Sequence, residues 1–100
     1  MQERIWLSLA QMGGGEQKYI QEAFDTNWVV PLGPNVNGFE KDLECFLGSN
    51  SHVVALSAGT AAIHLGLVQL GIQAGDEVIC QSLTFAASAN PIKYLGANPI

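Results

Sequence analysis

The stretch HVVALSAGTAAIHLGLVQLG, residues 52–71, decides the fold of this chain. Residues 53–56 form a short continuous apolar run, which is typical of a β-strand buried on both faces. Small residues and hydroxyls follow, and a helix is predicted from about Thr60 to Leu70, where Gly71 ends it. A buried strand, a small-residue corner and a helix together indicate the first half of a β-α-β unit.

The same alternation continues toward the end of the chain. A second strand is predicted over residues 77–80, a helix over about residues 85–95, and the opening of a third strand at residues 98–100. Strands that alternate with helices imply right-handed crossovers and a mostly parallel sheet. Because so few strands cannot cover one another, we predict an α/β fold of which residues 51–100 are the incomplete start.

The first half of the chain is predicted to be helical. Residues 16–26 carry apolar side chains at helical spacing, and a second amphipathic helix is predicted from Phe39 to a stop at Gly48. Residues 29–38 lie between them and are rich in proline, glycine and asparagine, so they are predicted to form a loop. Residues 1–50 are therefore predicted to be an N-terminal helical arm with a loop.

The composition predicts that much of the surface is covered by something else. Charged residues make up 13% of the chain and apolar residues 48%, whereas about 25% charged residues is usual. A domain of this size has a high surface-to-volume ratio and should carry more charge. We therefore expect the chain to be a fragment of a larger, oligomeric protein.

Several classes of function are disfavoured by the composition. The net charge is −5, and the four basic residues are scattered, which argues against a nucleic-acid partner. No apolar run reaches the length of a membrane span. Cys45 and Cys80 lack metal-ligand spacing, so no metal site is predicted and two reduced thiols in a cytoplasmic protein are expected.

The corner between the predicted strand 53–56 and its helix suits an anion. In open α/β sheets, ligands bind where strands give way to helices, and a helix N-terminus offers unpaired N–H groups to phosphate. Ala58 and Gly59 are small enough to let phosphate oxygens reach the backbone, and Ser57 or Thr60 could donate a hydroxyl. The alternative is that Ser57 caps the helix and Gly59 makes the turn.

A second polar corner, residues 82–84, precedes Phe85. Because strand ends in a parallel sheet point the same way, this aromatic ring could stand beside the phosphate and stack on a flat cofactor. The alternative is that Phe85 belongs to the core.

Four motifs resemble the sugar aminotransferases of the DegT/DnrJ/EryC1/StrS family. They are LSLAQMGGGEQKYI (7–20), LGPNVNGFEKDLECFLG (32–48), LSAGTAAIHLGL (56–67) and GDEVICQSLTFAASANPIKYLGANPI (75–100). The resemblance covers nearly the whole chain in the family's order. It implies the fold of the fold-type I pyridoxal phosphate (PLP) enzymes, with residues 51–100 as the incomplete start of the PLP-binding domain.

The resemblance also implies roles for individual residues. The backbone around Ala58 and Gly59, with the Thr60 hydroxyl, would hold the cofactor phosphate, and Phe85 would stack on the pyridine ring. Ala58 stands where family members often have a second hydroxyl, so one phosphate hydrogen bond is in doubt.

The loop between the predicted helices would lie near the sugar-nucleotide pocket of such an enzyme. Trp28, Gly33 and Pro34 are accordingly expected on the substrate side, at the boundary between the subunits of a homodimer.

The resemblance implies that the lysine that holds the cofactor as a Schiff base lies beyond residue 100. Lys18 and Lys41 are predicted to lie on the solvated faces of amphipathic helices, and Lys93 near a helix end, so none of them is expected to take that role. The chain alone is therefore expected to be inactive. The resemblance implies amination of a nucleotide-linked keto sugar, such as a UDP-4-keto-6-deoxy sugar, with glutamate as amino donor. The alternatives are a dehydratase relative, with histidine in place of the lysine, and a non-catalytic binding or assembly module.

Overall fold

The computed structural model describes residues 4–6, 8–48 and 50–100. Residues 1–3, Leu7 and Ser49, which are part of the predicted helical arm, lie outside the described residues. The chain divides into two compact units, of which one ends at Val54 and the other begins at Ala55. Each unit is described by itself.

Helix α1 of the first unit spans Glu16–Asp25 and confirms the helix predicted there. The Glu16 carboxylate turns back and accepts hydrogen bonds from the backbone N–H groups of Gly13 and, at 2.8 Å, Gly14. Hydrogen bonds from the N–H groups of Glu16 itself, Gly13 and Gly14 lower the pKa of this carboxyl, because they stabilise its charged form. The acidic side chain therefore closes the three-glycine turn onto the start of α1.

Helix α2 spans Pro34–Leu47 and ends at Gly48, as predicted, but it begins earlier than predicted. The prediction of a loop over residues 29–38 is therefore wrong in its second half, residues 34–38. The reason is that Pro34 occupies the first helical position, where its fixed φ suits a helix and its missing N–H is not needed. In a stretch as rich in proline, glycine and asparagine as residues 29–38, the same proline instead suggests a loop.

Helix α3 of the second unit spans Gly59–Gln69 and confirms the predicted helix after the corner. The single helix predicted over residues 85–95 is wrong: the chain forms a 3₁₀ turn, Ala86–Ser88, and a short helix α4, Asn90–Tyr94. Pro91 explains the division, because a proline inside a helix removes a hydrogen bond and clashes with the preceding turn. At the start of a new helix it is tolerated.

Two short parallel strands confirm the other strand predictions. Strand β1, Glu77–Val78, pairs with β2, Asn98–Pro99. The ladder extends beyond them, since the Cys80 N–H donates to the Ile100 carbonyl at 2.8 Å. The prediction of a mostly parallel sheet therefore holds for the strands that are present.

Residues 53–56 do not form a strand in the structure, so that prediction is wrong for this chain. The sheet of the described residues contains β1 and β2 alone. A strand is defined by ladder hydrogen bonds to a neighbouring strand, and an apolar run cannot supply that neighbour by itself.

The core of the second unit is small. Ile92 and Ala97 are its buried apolar residues, and Pro91 is fully buried beside them. Helix α3 packs against α4, and α4 packs against β2. Many larger apolar side chains are exposed instead, among them Ile79 and Leu83. Within the described ranges no helix is both long and apolar enough to cross a bilayer.

Candidate functional site

The N-terminus of α3 presents backbone donors without a side-chain cap. Ala58 is the N-cap residue, in extended conformation with φ −160° and ψ 154°, and no side chain caps this end among the described residues. The first helical hydrogen bond runs from the Ala62 N–H to the Ala58 carbonyl, at 3.1 Å. The N–H groups of the preceding turn therefore point out of the helix. The alternative that Ser57 caps the helix is wrong.

Gly59 is a glycine that the folded chain itself does not require. Its φ lies outside the left-handed region, and a Cβ added to it would meet no heavy atom within 4 Å. Neither backbone geometry nor packing therefore explains the missing side chain. Without a Cβ, the space over the N–H groups of the first turn stays open to an anion.

The electrostatics of this corner favour an anion. Helix α3 is 11 residues long and has no acidic residue in its first turn, so the partial positive charge at its N-terminus is not neutralised locally. Ala58 and Gly59 are exposed, and Thr60, at the second helical position, is half-buried. The corner thus combines accessible backbone donors with one hydroxyl.

Phe85 lies in the same unit, at the corner that follows β1. Its backbone is extended, with φ −65° and ψ 136°, and its side chain is 82% exposed. The Phe85 ring is therefore not part of the small core of this unit. Helix α3 packs against the 3₁₀ turn that begins immediately after Phe85, so the structure places both cofactor-side corners on packed elements of one unit.

A pair of hydroxyls beside Phe85 was not predicted from the sequence. Thr84 Oγ1 and Ser88 Oγ lie 2.9 Å apart and form a hydrogen bond across the three residues between them, of which Phe85 is the first. Both side chains line a hollow of 280 Å³ whose apolar wall includes Ile63 and Leu67 of α3. Two hydroxyls four residues apart, on either side of an aromatic residue, are the sequence signal that could have revealed the pair.

The substrate-side candidates lie in the first unit. A Cβ at Gly33 would come within 3.0 Å of Trp28 Cε3, and Gly33 has φ 134°. The fold therefore requires glycine at this position, whatever binds nearby. Pro34 starts α2 and lines a separate hollow of 340 Å³ with Tyr19 and Asp42 among its neighbours.

The lysines show no catalytic environment in this chain. The Lys93 ammonium donates to Asn98 Oδ1 at 3.3 Å, and Lys18 and Lys41 are exposed on α1 and α2. In the described part of the chain no three histidine, cysteine or acidic side chains gather as metal ligands.

The described residues thus place an uncapped helix N-terminus with an exposed glycine and an exposed aromatic ring in one α/β unit. The chain matches the profile of the DegT/DnrJ/EryC1/StrS aminotransferase family over residues 10–100. It therefore belongs to that family.

Named relatives agree with this family. The chain is 51% identical to EpsN of Bacillus subtilis, provisionally named a pyridoxal phosphate-dependent aminotransferase, over the whole chain and 26% of EpsN. It is 42% identical to the GDP-perosamine synthase of Caulobacter vibrioides, over 97% of the chain and 26% of that protein. The chain thus spans about a quarter of the length of the curated relatives it matches.

A solved structure shows the same fold. Spr1654 of Streptococcus pneumoniae, provisionally named a sugar aminotransferase, matches in its PMP and PLP forms with a TM-score of 0.81 and 28% identity. The match covers 98% of this chain and 24% of that one. The predicted α/β fold, that of the fold-type I PLP enzymes, is confirmed.

Proposed function

We propose that this chain is part of a PLP-dependent aminotransferase that converts a nucleotide-linked keto sugar to an amino sugar. The observation that carries the proposal is the open glycine corner at the N-terminus of α3, where a Cβ on Gly59 would meet nothing. Family membership and the names of the relatives support it.

The phosphate of the cofactor fits this corner. The N–H groups of the first turn of α3 would donate to phosphate oxygens, and Thr60 would add a hydroxyl donor. Ala58 has no polar side chain to add a further bond. When bound, PLP would supply the electron sink that allows an amino group to be transferred from an amino acid to a carbonyl compound.

Phe85 would hold the flat ring of the cofactor. Its side chain is 82% exposed although it is large and apolar, so a planar ligand that covers it would remove apolar surface from water. The ring would then orient the cofactor without donating or accepting a proton.

We propose that the substrate is a 4-keto-6-deoxy sugar linked to UDP and that glutamate is the amino donor. The motifs at residues 7–20 and 27–40 support the sugar, because they resemble those of family members that act on such sugars. Trp28, Gly33 and Pro34 would lie on the substrate side. Gly33 would act there only through its packing under the Trp28 ring.

The remaining proposals concern assembly and location. The many exposed apolar side chains of both units support a homodimer whose subunits cover one another. Cys45 and Cys80 are free thiols, which agrees with a reducing compartment such as the cytoplasm.

The test uses the full-length protein. It is titrated with PLP, and then assayed with glutamate and 4-keto-6-deoxy sugars linked to UDP or to GDP, with amino-sugar formation followed by mass spectrometry. We expect cofactor uptake and amination of the UDP sugar. Amination of the GDP sugar alone would correct the nucleotide, dehydration without amination would identify a dehydratase, and no PLP uptake at saturation would overturn the proposal.

A further inference from the structure

We propose that the Thr84–Ser88 hydroxyl pair is a positioning device that aims the Phe85 ring at the cofactor. This inference rests on the proposed function, because it concerns how the PLP ring is held. Thr84 and Ser88 are positioning residues in this account and need not touch the cofactor.

The position of Phe85 is tied to that of Thr84. The Thr84 side chain faces the hollow between α3 and the 3₁₀ turn, where its Oγ1 meets Ser88 Oγ at 2.9 Å. Phe85 follows Thr84 directly, its backbone is extended, and its ring lies in solvent outside the hollow. The Thr84–Ser88 hydrogen bond therefore fixes the chain on both sides of Phe85 while the ring stays outside the hollow.

The fold provides little else to hold the ring. Phe85 does not line the hollow, and its side chain is 82% exposed. On the backbone side, the Phe85 carbonyl accepts from the Ser88 N–H at 2.9 Å and closes the 3₁₀ turn. The hydroxyl pair braces that same turn at the level of the side chains, so one backbone bond and one side-chain bond define where the ring stands.

The surroundings make the bond sensitive to substitution. Ser88 is half-buried and Thr84 is exposed, and apolar side chains of α3 and α4, including Ile63, Leu67 and Ile92, share the wall of the hollow. Replacing Thr84 by valine keeps the shape of the side chain and leaves the Ser88 hydroxyl beside apolar groups without its partner. Such a loss favours rotation of the turn toward solvent, which moves the Phe85 ring.

The experiment compares Thr84→Val with Thr84→Ser in the full-length protein. Three quantities are measured: the Kd for PLP, the circular dichroism induced in the cofactor's absorption band, and the Tm of the apo-protein. We expect Thr84→Val to raise the Kd about three- to tenfold, the size of one lost neutral hydrogen bond, and to reduce the induced dichroism. Thr84→Ser keeps the hydroxyl and is expected to restore both.

Thr26→Val is the matched control. Thr26 Oγ1 also makes a hydrogen bond, to the Glu22 carbonyl at 2.6 Å, but lies in the first unit at the end of α1. It is expected to leave the Kd and the induced dichroism unchanged. Thr84→Val with wild-type Kd and dichroism would overturn the inference, and so would a change that tracks a lowered apo Tm and is not restored by serine.

A double variant separates this mechanism from direct contact. In a Phe85→Ala background there is no ring to aim, so Thr84→Val is expected to leave the Kd for PLP where Phe85→Ala puts it. An equal further loss would show that Thr84 acts independently of Phe85 and would overturn the inference. If the wild-type protein takes up no PLP, the proposed function fails first, which distinguishes the two failures.

Discussion

Gly59→Ala tests whether the glycine at the N-terminus of α3 is needed for folding or for ligand binding. The added Cβ would meet no heavy atom within 4 Å, and the backbone at this position is not left-handed. Alanine also restricts the unfolded chain more than glycine does. The substitution is therefore expected to raise the free energy of unfolding of the apo-protein by about 0.4–1 kcal/mol.

The effect on the cofactor is expected to have the opposite sign. A Cβ over the first turn of α3 keeps a phosphate oxygen away from the N–H groups below it. Losing one hydrogen bond to a charged group costs about 1.5–3 kcal/mol, which corresponds to a rise of about 10- to 150-fold in the Kd for PLP. A more stable apo-protein that binds PLP more weakly is the specific expectation.

Gly66→Ala is the matched control, because Gly66 lies in the same helix and its added Cβ also meets nothing within 4 Å. It is expected to stabilise α3 by about 0.5–1 kcal/mol and to leave the Kd for PLP unchanged. Both variants are measured by chemical denaturation of the apo-protein and by PLP titration. The reasoning is refuted if Gly59→Ala binds PLP like the wild type, or if it destabilises the apo-protein.

Four further predictions concern single positions. Thr60→Val is expected to weaken PLP binding by about 1–3 kcal/mol, the value of a hydrogen bond to a charged group, in the same titration. Phe85→Ala is expected to weaken it by about 0.5–1.5 kcal/mol with no loss of apo Tm, since the ring is largely exposed; a lower Tm would assign the ring to packing. Gly33→Ala is expected to destabilise the apo-protein by about 1–3 kcal/mol in denaturation, because of φ 134° and the Trp28 ring at 3.0 Å. The pKa of Glu16 is lowered from 4.5, so its stabilisation of the start of α1 is present above about pH 4.5 and is lost as the pH falls through the folded pKa. The measurement is amide hydrogen exchange at residues 13–14 in the wild type and in Glu16→Gln at each pH. The exchange rates of the two proteins are expected to differ at neutral pH and to converge in acid.

Local patterns predicted those elements whose causes are local. Helices α1 and α3 follow from apolar spacing, and the end of α3 follows from Gly71. The two prolines at helix starts show the limit. Pro34 extends α2 into a stretch that looked like a loop, and Pro91 divides a stretch that looked like one helix. Proline favours a first turn and disfavours an interior, and the register that decides between them comes from tertiary packing.

Pairing between strands is not a local property, and the sheet shows this. Residues 53–56 and 78–80 are both short apolar runs, but β1 pairs with β2 and residues 53–56 lie outside the sheet. The difference is not in the runs themselves. It lies in whether a neighbouring strand is available for pairing. The low charged fraction of the chain likewise indicates that its surface depends on other parts of the protein to cover it.

Two candidate glycines, one in each unit, show what the structure adds to the sequence. The family resemblance implies a binding role for both Gly33 and Gly59. In the structure Gly33 has a left-handed φ and an indole ring against it, whereas Gly59 has an ordinary φ and open space. Packing therefore explains the first, whereas the space at the second stays open to a closely approaching ligand. The Phe85 ring is exposed in the same unit as Gly59, and in the proposed function the glycine corner and this ring bind one ligand that has an anionic group and a flat ring.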